Sequence, residues 1–250
     1  MSLVLYQFPI SHYCEKIRWA LDYKKRAYPD LNYTIKNLLP GPHVSTTKKI
    51  AKKTNVPILV HGDKVVQNFS DIISYLDEVF PKNPLTPTDD ALKAEALAWE
   101  RYFDKEVGVH VRRYCYHILL EYPAIVIHFF TQNGVWYGPL LYRFIFQKLR
   151  KRMRTLMDIN DETAAQSREQ IEKAIDKMHV HFNEHPYLVG SDFSRADLTA
   201  ASLLAPLCVP DNYGVIWPDR LPDELQKSVT AYSAKTQWLH KFYNNYRTLL

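Results

Sequence analysis

The order of strand and helix patterns in the first 80 residues constrains the fold of this chain most strongly. Short apolar runs that predict strands alternate there with helical patterns, in the order β-α-β-α-β-β-α. The predicted strands cover residues 3–8, 31–35, 57–60 and 64–66, and a tight turn at residues 61–63 joins the last two. These elements predict a small α/β domain.

The pattern changes after a segment with three prolines in seven residues, 81–87, which reads as a linker. Beyond it the strand signals stop. Helices are predicted near residues 89–120, 140–157, 162–183, 194–207 and 230–247. We therefore expect an α/β domain over residues 1–80, a linker over 81–88 and an all-α domain over 89–250.

Composition and spacing exclude several classes of function. The chain has 7 glycines and contains neither GxGxxG nor GxxxxGK[ST], which disfavours the common nucleotide-dependent enzymes. Its net charge of +5 would help to hold an anionic small molecule, but no nucleic-acid motif accompanies it. The three cysteines form no CxxC pair, and His179 and His181 would face apart on a helix. We expect no metal and no nucleic-acid partner.

Neither a signal peptide nor a membrane span is predicted. The first residues, MSLVLYQF, lack a basic region followed by an apolar run, and no apolar stretch approaches the ~18–20 residues that cross a bilayer. A basic run at residues 148–154 lies beside an apolar helical stripe and leaves open a membrane-surface or nucleic-acid helix. The solvated face of a packed helix is the better interpretation. We expect a cytoplasmic location and no membrane binding.

The junction between the first strand and the first helix carries the candidate chemistry. Ser11 and Cys14 flank the start of that helix, where unpaired N–H groups and a partial positive charge stabilise a thiolate. Lowering a thiol pKa by two units needs about 2.7 kcal/mol, which a hydroxyl donor and the helix end together supply. Ser11 could instead cap the helix, and Cys14 could be a small core residue or, if exposed, a reactive thiol.

Pro57 opens the third predicted strand. An X–Pro bond is the one place where a cis peptide costs little. In the cis form, the backbone N–H and C=O of Val56 would face a ligand instead of the sheet. An edge-strand proline is the alternative interpretation.

The segments SHYCEKIRWAL (11–21), VPIL (56–59) and DIISYLDE (71–78) resemble the cytosolic glutathione S-transferase family. Ser194 and Asp197 also match the buried capping box of that family. The similarity is to a bacterial-looking, serine-type member of theta-, zeta- or omega-like character. It implies a thioredoxin-like amino-terminal domain, an all-helical carboxy-terminal domain and a homodimer with a role in detoxification.

The resemblance also implies roles for single residues. Ser11 falls where serine-type members hold the hydroxyl that activates the glutathione thiol, and Cys14 falls where dithiol glutaredoxins have their second cysteine. Val56, before Pro57, would pair with the cysteinyl backbone of glutathione, and His43 would reach its glycine carboxylate. The run at residues 112–117 lies on the helix that lines the electrophile pocket in the family, with core packing as the equal alternative.

One pair departs from the family pattern. The residues that grip the γ-glutamyl end align with Asn68 and Phe69, and Phe69 lacks the usual serine hydroxyl. Its loss removes about 1 kcal/mol, or several-fold in affinity. Shifting the alignment by one residue would place Ser70 in the serine position, but the fit of the helix at residues 72–78 opposes this shift.

The function implied is attack by the glutathione thiolate, held by Ser11, on a hydrophobic electrophile. Glutathione is then a co-substrate, and no metal is required. Two alternatives remain open at this point. One is a glutathione-dependent thiol-transferase or reductase that uses Cys14. The other is a non-catalytic protein that uses the same fold for binding.

Overall fold

The computed structural model describes residues 3–247, and its first part is built on a four-stranded sheet. The strands are β1 (Leu3–Gln7), β2 (Tyr33–Asn37), β3 (Ile58–His61) and β4 (Lys64–Gln67). Their order is β2-β1-β3-β4, with β1 parallel to β2 and the other two pairs antiparallel. The helices α1 (His12–Ala27), α2 (His43–Ile50) and α3 (Phe69–Val79) complete the thioredoxin-like domain that the sequence predicted.

Helix α1 is buried on all sides. Every residue from 12 to 22 is buried, although Ile17 and Leu21 belong to a single apolar stripe. The polar side chains of α1 therefore lie inside the protein and need partners there. Arg18 and Lys24 find theirs within the first domain, whereas Lys16 reaches acids of the second domain.

The second part of the described chain is helical, as expected. Its α-helices are α4 (Asp90–Tyr102), α5 (Gly108–Leu119), α6 (Pro123–Thr131), α7 (Gly138–Leu156), α8 (Asp161–Glu184), α9 (Arg195–Leu204), α10 (Asp223–Tyr232) and α11 (Gln237–Tyr246). A π-helical turn, Phe103–Val107, joins α4 to α5, so the predicted helix over 89–120 is one continuous run. Within residues 3–247, no helix is both long and apolar enough to cross a bilayer.

Two elements differ from the prediction. Helix α6 was missed because its sequence, PAIVIHFFT, is apolar on nearly every side and shows no helical period. The helix predicted over 230–247 is two helices, since the chain turns through a 3₁₀ segment at Ser233–Lys235. The predicted capping box is confirmed. The Ser194 hydroxyl accepts a hydrogen bond from a backbone N–H in the first turn of α9, and the Asp197 carboxylate accepts one from the Ser194 backbone N–H.

A buried ionic cluster joins the two parts of the molecule. Glu100 of α4 lies 2.7 Å from the Lys16 ammonium and 2.8 Å from the Arg195 guanidinium, and all three side chains are at most 2% exposed. Ser70 donates to the same carboxylate at 2.9 Å. Lys16 also contacts both carboxylate oxygens of Asp104 at 2.9 Å. The cluster therefore connects α1 and α3 of the first domain to α4 and α9 of the second.

Candidate functional site

A cavity of about 650 Å³ lies where the start of α1 faces α5 and α7. The first domain contributes Ser11, Tyr13, His43, Val56 and Phe69 to its wall. The helical domain contributes Val109, Arg112, Cys115, Tyr116, Leu119, Phe129, Phe130, Met153 and several further apolar side chains. The structure thus brings four of the predicted site residues together in one cavity: Ser11, His43, Val56 and Phe69.

Ser11 is the N-cap residue of α1. Its Oγ accepts a hydrogen bond from the backbone N–H of Cys14 at 3.3 Å, and its backbone is extended. Capping uses a lone pair of the hydroxyl and leaves the hydroxyl proton available for donation. Capping and thiolate stabilisation, which were alternatives in the sequence, are therefore compatible at this residue.

Cys14 does not reach the cavity. Its side chain is 0% exposed, and burial raises the pKa of its thiol, although the charge of Arg18 acts in the opposite direction. A buried thiol with a raised pKa is a poor nucleophile. The exposure that a reactive Cys14 would require is absent.

Val56 lies on the cavity wall, beside the end of the sheet. The Val56–Pro57 peptide bond is cis. Pairing of β3 with β1 begins at Ile58, opposite Tyr6, so the backbone of Val56 lies outside the ladder. Its polar groups are therefore placed next to the cavity.

His43 is half-buried at the start of α2. Its Nδ1 accepts a hydrogen bond from the backbone N–H of Gly41 at 3.1 Å, and its ring packs edge-on against Phe8. Burial lowers the pKa of His43. The neutral ring with an Nδ1 acceptor carries its proton on Nε2, which makes Nε2 a donor for an acceptor group in the cavity.

The Asn68–Phe69 pair does not provide side-chain donors to the cavity. Asn68 is exposed and donates to the Asp71 carboxylate at 3.1 Å. Phe69 stacks on Tyr13 with ring centroids 4.6 Å apart. The alternative register with Ser70 is wrong, because the Ser70 hydroxyl donates to Glu100 and accepts from Arg195. What remains here is the α3 N-terminus, which has no side-chain cap and so keeps free backbone N–H groups.

His12 and Tyr13 lie at the contact between α1 and α5. Burial, with a smaller contribution from the charge of Arg112, lowers the pKa of His12 to about 3. The neutral imidazole places Nε2 3.0 Å from the Gly108 carbonyl, so Nε2 must carry the proton. Tyr13 donates its hydroxyl to the Asp104 carbonyl at 2.7 Å. Sequence reasoning missed both roles, because their partners are about 90 residues away.

The run at residues 112–117 divides between the cavity and the core. Arg112, Cys115 and Tyr116 line the cavity, whereas Tyr114 is buried and bonds the Ser228 hydroxyl at 2.7 Å. One face of this run therefore contributes to the cavity wall and another to the core. Among residues 3–247, no group of three or more acidic, histidine or cysteine side chains is arranged to hold a metal ion.

The basic run at residues 148–154 has some residues on the helix surface and others on the cavity wall. Arg150 and Arg154 pair with Glu121, which fixes them on the helix surface. Arg152 and Met153 reach the cavity wall. This segment is therefore part of a packed helix, with one arginine at the mouth of the site.

Comparison with known proteins agrees with this geometry. Residues 5–84 match the family model of the glutathione S-transferase N-terminal domain. Glutathione S-transferase 1 of Dianthus caryophyllus is 38% identical over 100 residues, which cover 40% of this chain and 43% of the relative. Glutathione S-transferase Z1 of Arabidopsis thaliana is 41% identical over 89 residues, or 35% and 39% of the two chains. The chain spans about two fifths of the length of these curated relatives.

Solved structures share the fold along nearly the whole chain. The β-etherase LigF of Sphingobium sp. strain SYK-6 has a TM-score of 0.62 at 22% identity and covers 98% of this chain and 99% of its own. A glutathione S-transferase of Methylobacterium radiotolerans, solved with glutathione sulfonate, has a TM-score of 0.54 at 18% identity and covers 100% and 98%. The protein has the glutathione S-transferase architecture, and residues 5–84 have the sequence pattern of the glutathione S-transferase N-terminal domain. The resemblance seen in the sequence is confirmed at this level.

Proposed function

We propose that the protein is a glutathione transferase that conjugates the glutathione thiolate to a hydrophobic electrophile. The observation that carries the proposal is the position of Ser11. Its hydroxyl lies at the N-cap of α1 and on the wall of a mainly apolar cavity. A thiolate bound there would accept a hydrogen bond from the Ser11 hydroxyl and would lie at the positive end of the helix.

The remaining contacts to glutathione follow from the wall of the first domain. The free N–H groups at the start of α3 suit the γ-glutamyl carboxylate, and the backbone of Val56 suits the cysteinyl unit. The Nε2 donor of His43 suits the glycine carboxylate. Phe69 forms part of the wall and its backbone N–H contributes a donor, which compensates in part for the missing serine hydroxyl.

The electrophile would bind against the apolar side chains of α5, α6 and α7. In the reaction, the thiol proton leaves to solvent and the sulfur lone pair forms the carbon–sulfur bond. For an aryl halide, the carbon–halogen electron pair leaves with the halide.

We also propose that the protein is a cytoplasmic homodimer. Each protomer would consist of a glutathione-binding domain over residues 1–80, a linker over 81–88 and a helical domain over 89–250. Light scattering after gel filtration tests the dimer, and limited proteolysis tests the linker.

The test uses 1-chloro-2,4-dinitrobenzene, a neutral electrophile, with the wild type and three variants. A hydrogen bond to a charged group contributes about 1.5–3 kcal/mol, so Ser11→Ala should lower kcat/KM by about 10- to 100-fold at pH 6.5. Cys14→Ala should change kcat/KM by less than about threefold, because its thiol does not face the cavity. Ser191→Ala is the matched control, because Ser191 is exposed and does not line the cavity.

Two results would overturn the proposal. Full activity in Ser11→Ala with loss in Cys14→Ala would favour the thiol-transferase alternative, provided that both variants show wild-type circular dichroism. A wild type that neither binds glutathione at several millimolar nor conjugates the electrophile would favour the non-catalytic alternative.

A further inference from the structure

Arg112 is a cation in the cavity wall without an acidic partner. Among residues 3–247, it makes no salt bridge, and its Nε is fully buried without a hydrogen-bond partner. The one acid on the cavity wall, Asp104, is already held by Lys16 through two contacts of 2.9 Å. The charge of Arg112 is therefore not compensated within this part of the chain.

Arg112 is half-buried, and its situation contrasts with that of the fully buried cations among residues 3–247. Each of those contacts a carboxylate: Lys16, Arg18, Lys24, Arg195 and Arg247. A guanidinium with an enclosed N–H and no acceptor is costly, because the group has lost water without replacing it. Nε is enclosed by protein atoms, whereas the two terminal nitrogens of Arg112 are not enclosed and have no hydrogen-bond partner among residues 3–247, so these are the donors that a ligand in the cavity can reach.

The chemistry of a guanidinium limits what that acceptor can be. Its planar fork of N–H donors matches the two oxygens of a carboxylate, which it binds bidentately. The neighbouring His12 is neutral at physiological pH, so it does not compete for the same anion. Arg152, the other arginine of the cavity, is exposed at the mouth, where water and salt screen its charge.

The position of Arg112 places the acceptor close to the reacting centre. Its charge acts on His12 and Tyr13, the two residues that follow Ser11, and on Tyr116 one turn further along α5. The part of the wall that comes from the helical domain is mainly apolar and includes Val109, Leu119, Phe130 and Met153. A molecule that fits both features has an apolar body and a single acidic group.

We propose that the electrophile carries a carboxylate and that Arg112 binds this carboxylate while Ser11 holds the thiolate. This inference rests on the proposed transferase function and specifies its substrate class. The substrate is then an apolar, monocarboxylic electrophile, and Arg112 is its specificity-determining residue. The carboxylate anchors the substrate and takes no part in the bond changes.

The test compares 4-chloro-3-nitrobenzoate with its uncharged amide, 4-chloro-3-nitrobenzamide. In both, the thiolate displaces chloride at the same ring carbon, and each rate is divided by the uncatalysed rate with glutathione. We expect Arg112→Gln to lower kcat/KM for the benzoate by about 10- to 100-fold and to change the value for the benzamide by less than threefold. Arg112→Lys should recover part of the loss, because it restores the charge without the fork.

Matched variants separate this effect from a general effect of charge. Arg101→Gln removes an exposed arginine of α4 and should change neither rate. Arg152→Gln should lower the benzoate rate by less than threefold, and a larger loss there than in Arg112→Gln would overturn the assignment. An equal loss for both electrophiles in Arg112→Gln would place the guanidinium on the thiolate and would also overturn it.

A second measurement distinguishes failure of this inference from failure of the proposed function. Calorimetry follows the binding of 3-nitrobenzoate and 3-nitrobenzamide, which lack the leaving group, to the wild type and to Arg112→Gln without glutathione. Tighter binding of the benzoate that disappears in the variant supports the carboxylate site even if no conjugation occurs. Equal binding of both probes in the wild type overturns the site, even if 1-chloro-2,4-dinitrobenzene is conjugated in a Ser11-dependent way.

Discussion

Replacing Glu100 by glutamine tests whether the buried ionic cluster holds the two domains together. The Glu100 side chain is 2% exposed and contacts Lys16 at 2.7 Å and Arg195 at 2.8 Å. Burial alone would raise the pKa of Glu100, but Lys16 and Arg195 together lower it below its ordinary value. The carboxylate is therefore charged in the folded protein, and the substitution removes that charge while keeping the shape of the side chain.

The magnitude follows from what the substitution leaves behind. Lys16 keeps Asp104 as a partner, but Arg195 keeps only uncharged acceptors, the backbone and hydroxyl oxygens of Ser70 and the hydroxyls of Ser74 and Thr86. Removing one member of a buried ion pair typically costs about 3–5 kcal/mol, because the other charge remains buried. We expect Glu100→Gln to lower the free energy of unfolding by an amount in this range.

Urea unfolding at pH 7, followed by circular dichroism, measures this change. Glu95→Gln is the matched control, because Glu95 lies on the same helix and is exposed, and it should change the free energy by less than about 0.5 kcal/mol. A loss below about 1 kcal/mol in Glu100→Gln would refute the reasoning that this cluster is a principal link between the domains.

Three further substitutions test other parts of the account. In His12→Gln, the decrease in unfolding free energy between pH 7 and pH 5 should be about 2 kcal/mol smaller than in the wild type, because His12 has a folded-state pKa of about 3 and takes up a proton near pH 6.5 only when unfolded. Equal decreases in urea titrations at the two pH values would contradict this. Gly108→Ala should destabilise by about 1–3 kcal/mol, since its Cβ would lie 2.7 Å from the Tyr13 hydroxyl; an unchanged Tm would be evidence against this contact. Ser194→Ala should lower the free energy of unfolding by about 1 kcal/mol through loss of the α9 cap, as measured in urea, and an unchanged urea midpoint would contradict it.

The sequence predicted the fold well where periodicity and local signals agree. The alternation of the first 80 residues, the Ser11 junction and the Ser194 capping box each depend on neighbours in the chain. Helix α6 could not be found in this way, because a segment that is apolar on every face has no period. The break between α10 and α11 was missed because the segment at 233–235 contains neither glycine nor proline.

The candidate site was predictable in part. Ser11, His43, Val56 and Phe69 were found from motifs, and all four line the cavity. The sequence could not show which charged side chains form ion pairs with residues far away in the chain. Whether a charged side chain such as Arg112 is compensated depends on residues far away in sequence. The cluster around Glu100 could not be predicted for the same reason. The burial of residues 12–22 of α1 explains why Lys16 needs acidic partners inside the protein.

The pKa of bound glutathione tests the central claim most directly. The absorbance of the thiolate, measured against pH with saturating enzyme, gives this pKa for the wild type and for Ser11→Ala. The account predicts a value about two units below that of free glutathione in the wild type, and a return by about one to two units in the variant. A bound thiol that titrates like the free one, or the same lowered pKa in both proteins, would contradict the role of Ser11.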